Sequence, residues 1–178
     1  MKYVYILGLL LCGTAAMAQT NPVSVTMNGI GEIKVGMSKK DLEKLIGVSI
    51  SSKRLSDDDW SYDTVRFYHK TIHFEAILSK ELDAKQEPYI AVWGITSDNN
   101  RLRTKSGISI GDDKLKVINT YEMYSINLSP ANEGPDFSTK SKTQSYVTLY
   151  SDDGTRTIIF HLTRNKVTAI SVAFNLGC

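Results

Sequence analysis

Ile33-Lys34-Val35-Gly36-Met37-Ser38, running into Lys39-Lys40-Asp41-Leu42-Glu43-Lys44-Leu45-Ile46-Gly47, decides the fold because its pattern returns 75 residues later. The second copy reads Ile108-Ser109-Ile110-Gly111-Asp112-Asp113 and continues Lys114-Leu115-Lys116-Val117-Ile118-Asn119-Thr120-Tyr121. Each copy opens with two apolar residues one apart, then a glycine, then a helix-capping side chain two positions on. Gly36 and Gly111 suit a sharp turn, since glycine accepts positive φ at little steric cost. Ser38 is placed to accept a hydrogen bond from an amide of the first helical turn, with Asp41 completing a box-like start, and Asp113 to cap the second helix likewise. Leu42, Leu45 and Ile46, and then Val117, Ile118 and Tyr121, fall at helical spacing. Two short amphipathic helices are therefore predicted, the first ended by Gly47.

After each helix the apolar period changes to alternation. Val65, Phe67 and His69 share one strand face, and Ile72, Phe74, Ala76 and Leu78 a face of the next; Tyr89 to Thr96 makes a third strand. The second unit echoes this with Tyr146 to Ser151, a turn at Asp152-Asp153-Gly154, Thr157 to Leu162, a turn at Arg164-Asn165, and Val167 to Phe174. The expectation is an α+β fold of two tandem helix-plus-antiparallel-meander units, spanning 19–104 and 105–178, with the helices packed on one face of a β-sheet. Trp93 shares its parity with Ile95 and is expected in the core. The polar stretch from Ile126 to Ser145, containing Pro130, Gly134 and Pro135, reads as a connection.

Residues 1–18 read as a secretory signal peptide: Lys2 supplies charge, Val4 to Leu11 an apolar run, and Ala16-Met17-Ala18 a small-x-small cleavage site. The run is too short for a transmembrane helix, which needs about 20 apolar residues. A periplasmic or secreted location is expected. Cys12 would leave with the leader, which leaves Cys178 alone and no internal disulfide to form. The hydrophobic fraction of 42% and charged fraction of 22% are those of an ordinary globular chain, so a packed core must supply the stability. The net charge of +2, which falls by one when Lys2 leaves, gives no electrostatic case for nucleic acid.

The pattern Ile-x-Val-Gly-Met-Ser with a helix ending in glycine, repeated as Ile-x-Ile-Gly-Asp-Asp, resembles the signature of the beta-lactamase-inhibitor-protein-like (BLIP-like) fold, shared with the SmpA/OmlA family of small outer-membrane assembly lipoproteins. The likeness covers residues 31–47 and 106–121; the tandem arrangement is closer to the inhibitor protein. It implies a fold, not a partner. The chain departs from these families in lacking the lipid-acceptor cysteine and the inhibitor's cysteine pairs, and in placing Glu122 where the first copy has Gly47.

Catalytic constellations are absent from the sequence: it has no Gly-x-Ser-x-Gly elbow, phosphate loop, dinucleotide fingerprint or cysteine motif, so no catalytic residue, cofactor or metal is assigned. His69 and His73 are four apart but flank a strand turn near Lys70-Thr71, and Asp57-Asp58-Asp59 lacks calcium-loop spacing. What strand parity does mark is a second sheet face, carrying Arg66, Tyr68, His73, Glu75, Ile77, Tyr146, Thr148, Tyr150, Ile159 and His161. Tyrosines with isolated aliphatics and an arginine are what protein interfaces enrich. Tyr68, His73, Tyr146, Tyr150 and His161 are thus the candidate binding residues, and Gly36, Ser38, Gly111 and Asp113 the turn and cap residues. The expected function is non-catalytic protein binding or inhibition, with a protein partner in the cell envelope. An envelope assembly or scaffold role is the alternative, and a small hydrolase a more distant third.

Overall fold

The computed structural model describes residues 21–52, 55, 62–133 and 138–175. The leader with Cys12, the Asp57-Asp58-Asp59 run, Gly134-Pro135 and Cys178 lie outside them. In chain order the elements are β1 (Val23–Thr26), β2 (Gly29–Ile30), β3 (Ile33–Lys34), α1 (Lys39–Ile46), β4 (Asp63–His69), β5 (Ile72–Leu82), β6 (Pro88–Ser97), β7 (Leu102–Thr104), α2 (Lys114–Thr120), β8 (Ile126–Glu133), β9 (Thr139–Tyr150), β10 (Arg156–Thr163) and β11 (Lys166–Phe174).

The α+β expectation is overturned. The described residues form a predominantly β structure, with a seven-stranded sheet ordered β4-β5-β6-β11-β10-β9-β8 and a four-stranded sheet ordered β3-β2-β1-β7. Only two short helices accompany them. Helices alone therefore do not cover the large sheet. The small sheet completes the cover, since β2 packs on β6 and β11, the central strands, while α1 lies against β6 and α2 against β9. Val25, Ile30, Ile33 and Leu102 of the small sheet join Leu42 and Val117 of the helices in one core with Phe74, Ile95, Val147, Phe160 and Ile170. Two-residue strands such as Gly29–Ile30 are too short to show a period, which hid this layer from pattern reading.

Two further corrections follow from strand geometry. The stretch from Ile126 to Ser145 is not a connection, because Ile126–Glu133 is a strand paired antiparallel with Thr139–Tyr150. Pro130 is tolerated there because β8 is the edge of its sheet and needs partners on one side only. Trp93 is not core either. Ile77 pairs with Gly94 but Leu78 with Val92, so Trp93 is the extra residue of a bulge. Its half-buried ring meets Tyr62 edge-on, with centroids 5.4 Å apart.

The turns and caps carry the same backbone bonds in both halves. Gly36 N–H donates to Val92 O at 2.7 Å and Gly111 N–H to Val167 O at 2.8 Å; Val92 N–H returns to Met37 O, and Val167 N–H to Asp112 O, each at 2.9 Å. Ser38 sits opposite Ala91 and Asp113 opposite Lys166. Every residue of the first set precedes its counterpart by 75. Both glycines take positive φ, at 85° and 87°, as the turn requires. Ser38 Oγ accepts from Asp41 N–H, and Asp113 accepts from Leu115 N–H. The helix ends differ: Gly47 closes α1 in the left-handed conformation, whereas α2 ends at Tyr121, with φ −117°. Tyr121 holds its end by burial, its hydroxyl donating to Thr104 Oγ1 at 2.9 Å and its ring stacking on Phe160.

Across the seam between the meanders, Ser97 pairs with Ile170, Thr96 with Ser171, and Ile95 with Val172. A shift of 75 exchanges the first and last of these pairs and maps Thr96 onto Ser171. A local two-fold axis therefore passes through the Thr96–Ser171 pair, relating β4-β5-β6 to β9-β10-β11.

Candidate functional site

The open face of the seven-stranded sheet is organised in cross-strand rows. The central row runs Arg66–Glu75–Thr96–Ser171–Ile159–Thr148–Asn127 across all seven strands. Two residues along to one side lie Tyr68–His73 on β4 and β5 and Ala169–His161–Tyr146 on β11, β10 and β9. To the other side runs Thr64–Ile77–Gly94–Ala173–Thr157–Tyr150. With neighbouring strands about 4.8 Å apart, His73 and His161 stand three strand steps, roughly 14 Å, from one another.

Of the candidate residues, Tyr68 and His73 are brought together as a direct cross-strand pair with ring centroids 5.2 Å apart. Tyr146 and His161 form the matching pair, edge to face at 5.1 Å. Tyr150 stands one row beyond the central one, opposite Thr157. The exposure is uneven: Tyr68 is 70% exposed, whereas His73, Tyr146, Tyr150 and His161 are half-buried by their neighbours. Between the two Tyr–His pairs β6 and β11 carry the small residues Thr96, Ala169 and Ser171, with Gly94 and Ala173 one row on, where the Trp93 ring meets Tyr62; Gly94, Ser171 and Ala173 are themselves buried by their neighbours. The small residues thus form a low floor between two aromatic pairs.

Two residues that parity reasoning did not single out lie in that floor. Ser171 Oγ is 2.6 Å from His161 Nε2 and 2.7 Å from Thr96 Oγ1, so a hydroxyl relay crosses the local two-fold axis and ends on the histidine. The signal that could have found them is the run of small residues at alternate positions in 94–96 and 169–173. Burial pushes the His161 imidazole below its ordinary range, and the charge of Glu75 pulls it partly back. Glu75 is itself held by Arg66 at 2.7 Å.

A serine within 3 Å of a histidine is the distance between a nucleophile and its base. Among the described residues the further groups of an acyl-transfer site are not assembled around it. Glu75 is committed to Arg66, and β11 is paired on both edges, so its amides serve the ladder and not a reacting oxygen. The relay positions His161, and through it Tyr146, on the face.

His69 and His73 sit on opposite sides of their hairpin. His69 reaches Glu32 Oε2 at 3.0 Å, while His73 meets Tyr68 on the open face. Lys70 also pairs with Glu32, and the two contacts hold the carboxyl at a pKa of about 2. That cluster ties the small sheet's turn to the β4–β5 hairpin. Among the described residues no group of three or more His, Cys, Asp or Glu is placed to hold a metal ion, and no helix is long and apolar enough to cross a membrane.

No family model, curated protein or solved structure matches this chain.

Proposed function

We propose that this protein is a non-catalytic binding module that docks a protein partner on the open face of its seven-stranded sheet. The observation that carries the reading is the pairing of Tyr68 with His73 and of Tyr146 with His161 on either side of a small-residue floor. Tyrosine offers large contact area with few rotatable bonds and a hydroxyl to satisfy at the rim. A floor of glycine, alanine, serine and threonine lets a partner's projecting side chain enter between the flanks. In this reading the leader exports the chain, and the partner belongs to the cell envelope. An envelope assembly role would use the same face for a longer-lived contact.

Immobilised protein lacking the leader, incubated with its native envelope fraction, tests the proposal. The parent should retain a partner that a Tyr68→Ala/Tyr146→Ala/Tyr150→Ala variant does not. Tyr68→Ala alone should weaken capture with little loss of stability, since exposed substitutions usually cost less than about 0.5 kcal/mol. Capture at parental strength by the folded triple variant would overturn the assignment.

A further inference from the structure

We propose that the cleft between the start of α1 and the β5–β6 hairpin binds an amphipathic organic anion, an apolar body carrying a carboxylate or sulfonate. The cleft encloses about 550 Å³, within the range of small-molecule sites. Its lining is divided by chemistry. Leu55, Ile90 and the ring of Tyr89 supply an apolar wall, and Lys39, Lys40 and Lys80 supply positive charge. Leu55 and Ile90 also pack on the core, so the wall is anchored. Glu43 is the carboxylate among the lining residues. It accepts from Ile50 N–H at 2.8 Å and pairs with Lys39 at 3.4 Å, contacts that keep its pKa below the usual range. Among the described lining residues three lysines stand with this one carboxylate.

The duplication supplies a comparison inside the same molecule. A second cleft, of about 350 Å³, includes Lys114, Arg164 and Asn165 in its lining. These are the positions 75 after Lys39, Tyr89 and Ile90, so the same place in the fold is hollow in both halves. Lys142 joins Lys114 and Arg164, Leu128 and Pro130 add a small apolar part, and no carboxylate is among the described residues of this lining. Positive charge is therefore common to the two clefts, while the apolar wall is broader in the α1 cleft, where Tyr89-Ile90 stands in place of Arg164-Asn165. A mostly polar and charged lining suits a hydrophilic anion; charge beside a broad apolar wall suits an amphiphile. Neither lining includes the Tyr–His pairs, so this site is independent of the binding face proposed above.

A fluorescence titration of the folded protein with 8-anilinonaphthalene-1-sulfonate, followed by displacement with dodecanoate and, separately, with dodecanol, tests the site. Saturable binding at one site is expected, with dodecanoate the better competitor. Lys40→Glu/Lys80→Glu should weaken binding by about ten-fold or more, and Tyr89→Ser should weaken it while leaving the charge intact. Lys142→Glu/Arg164→Glu should leave it unchanged. Circular dichroism on each variant separates loss of the site from loss of the fold, and Tyr89→Ser gives a second measure if the charge reversal unfolds the chain. Three results would each overturn the proposal: no saturable binding of either anion, parental affinity in the folded α1-cleft variants, or equal losses in the two charge-reversal variants.

Discussion

Replacing Phe160 with alanine tests how the two layers are joined. Phe160 is the largest of the fully buried side chains, at 0% exposure. It pairs with Val147 and Ile170 on its neighbouring strands, and its ring stacks on Tyr121 with centroids 5.8 Å apart at 30°. Tyr121 is the residue that ends α2, so the pair fastens the helix layer to the large sheet. Deleting a buried phenylalanine side chain costs about 3 to 5 kcal/mol through lost transfer energy and the cavity left behind. The aromatic pair contributes roughly 0.5 to 1.5 kcal/mol of coupling beyond area. Against a total stability of about 5 to 15 kcal/mol for a domain, this loss corresponds to a fall in unfolding midpoint of roughly 6 to 20 °C at this size. Urea unfolding followed by circular dichroism measures it. A double-mutant cycle with Tyr121→Leu, which removes the stacked ring, should show that the two losses do not simply add, since the residues touch. A Phe160→Ala variant within about 1 kcal/mol of the parent, at unchanged m-value, would refute the inward facing of β10 and with it the parity that defines the open face.

Ser38→Ala should cost about 1 kcal/mol in chemical denaturation by freeing the Asp41 amide. Gly29→Ala should abolish cooperative thermal unfolding, because its Cβ would stand 2.0 Å from Ile33 O, a backbone atom that cannot swing aside, at a φ of 145°. Burial lowers the His161 pKa below 6.5 in the fold, so as pH falls the unfolded chain takes up that proton first. Its contribution is complete above pH 6.5 and is lost as pH falls through the folded value, and His161→Gln should flatten that part of the stability profile. Glu32 and Asp153 titrate at about 2 in the fold against ordinary values of 4.5 and 3.8. Their contributions are present above those ordinary values and are lost as pH falls toward 2, so Glu32→Gln should remove part of the acid slope in pH-dependent melts.

Strand parity was readable because the apolar residues of the long strands fall at alternate positions, even where, as in β11, both sides are buried. Val65, Phe74, Ala76, Ile95, Val147, Leu149, Ile158, Phe160, Ile170 and Val172 all turn into the core as alternation requires. The same alternation placed Tyr68, His73, Tyr146, Tyr150 and His161 on the other face. Where the sequence misled, a particular local structure is responsible. The bulge at Trp93 inserts one residue and resets the alternation, so a tryptophan in phase with Ile95 leaves the core. Pro130 read as a breaker because its place on an edge strand is a property of the whole sheet. The small sheet was hidden because its short strands take their partners from distant segments, as when Val23 to Val25 meets Leu102 to Thr104 in parallel. The Ser171–Thr96 contact was hidden for a related reason: it joins residues 75 apart across a seam that no local pattern announces.

The local axis explains why the two halves kept their turns but not their surfaces. At the axis a position meets its own counterpart, so Thr96 and Ser171 must fit each other, and Gly94 and Ala169 flank the seam as equivalents. On the open face the seam carries small residues from both halves, and a Cβ at Gly94 would come within 3.2 Å of Ala173 Cβ. Away from the axis the two halves differ more. Tyr68 on β4 and Tyr150 on β9 are axis-related and still alike, but His161 answers to Ile77, and Glu75 to Ile159. The turn bonds of Gly36 and Gly111 are backbone bonds that tolerate any neighbouring side chain, so they persist while the residues around them diverge. This duplicated fold thus has small residues from both halves on the open side of its central seam and more divergent flanks and clefts at its sides. The paired Tyr–His flanks and the two unlike cationic clefts lie where that divergence is least constrained.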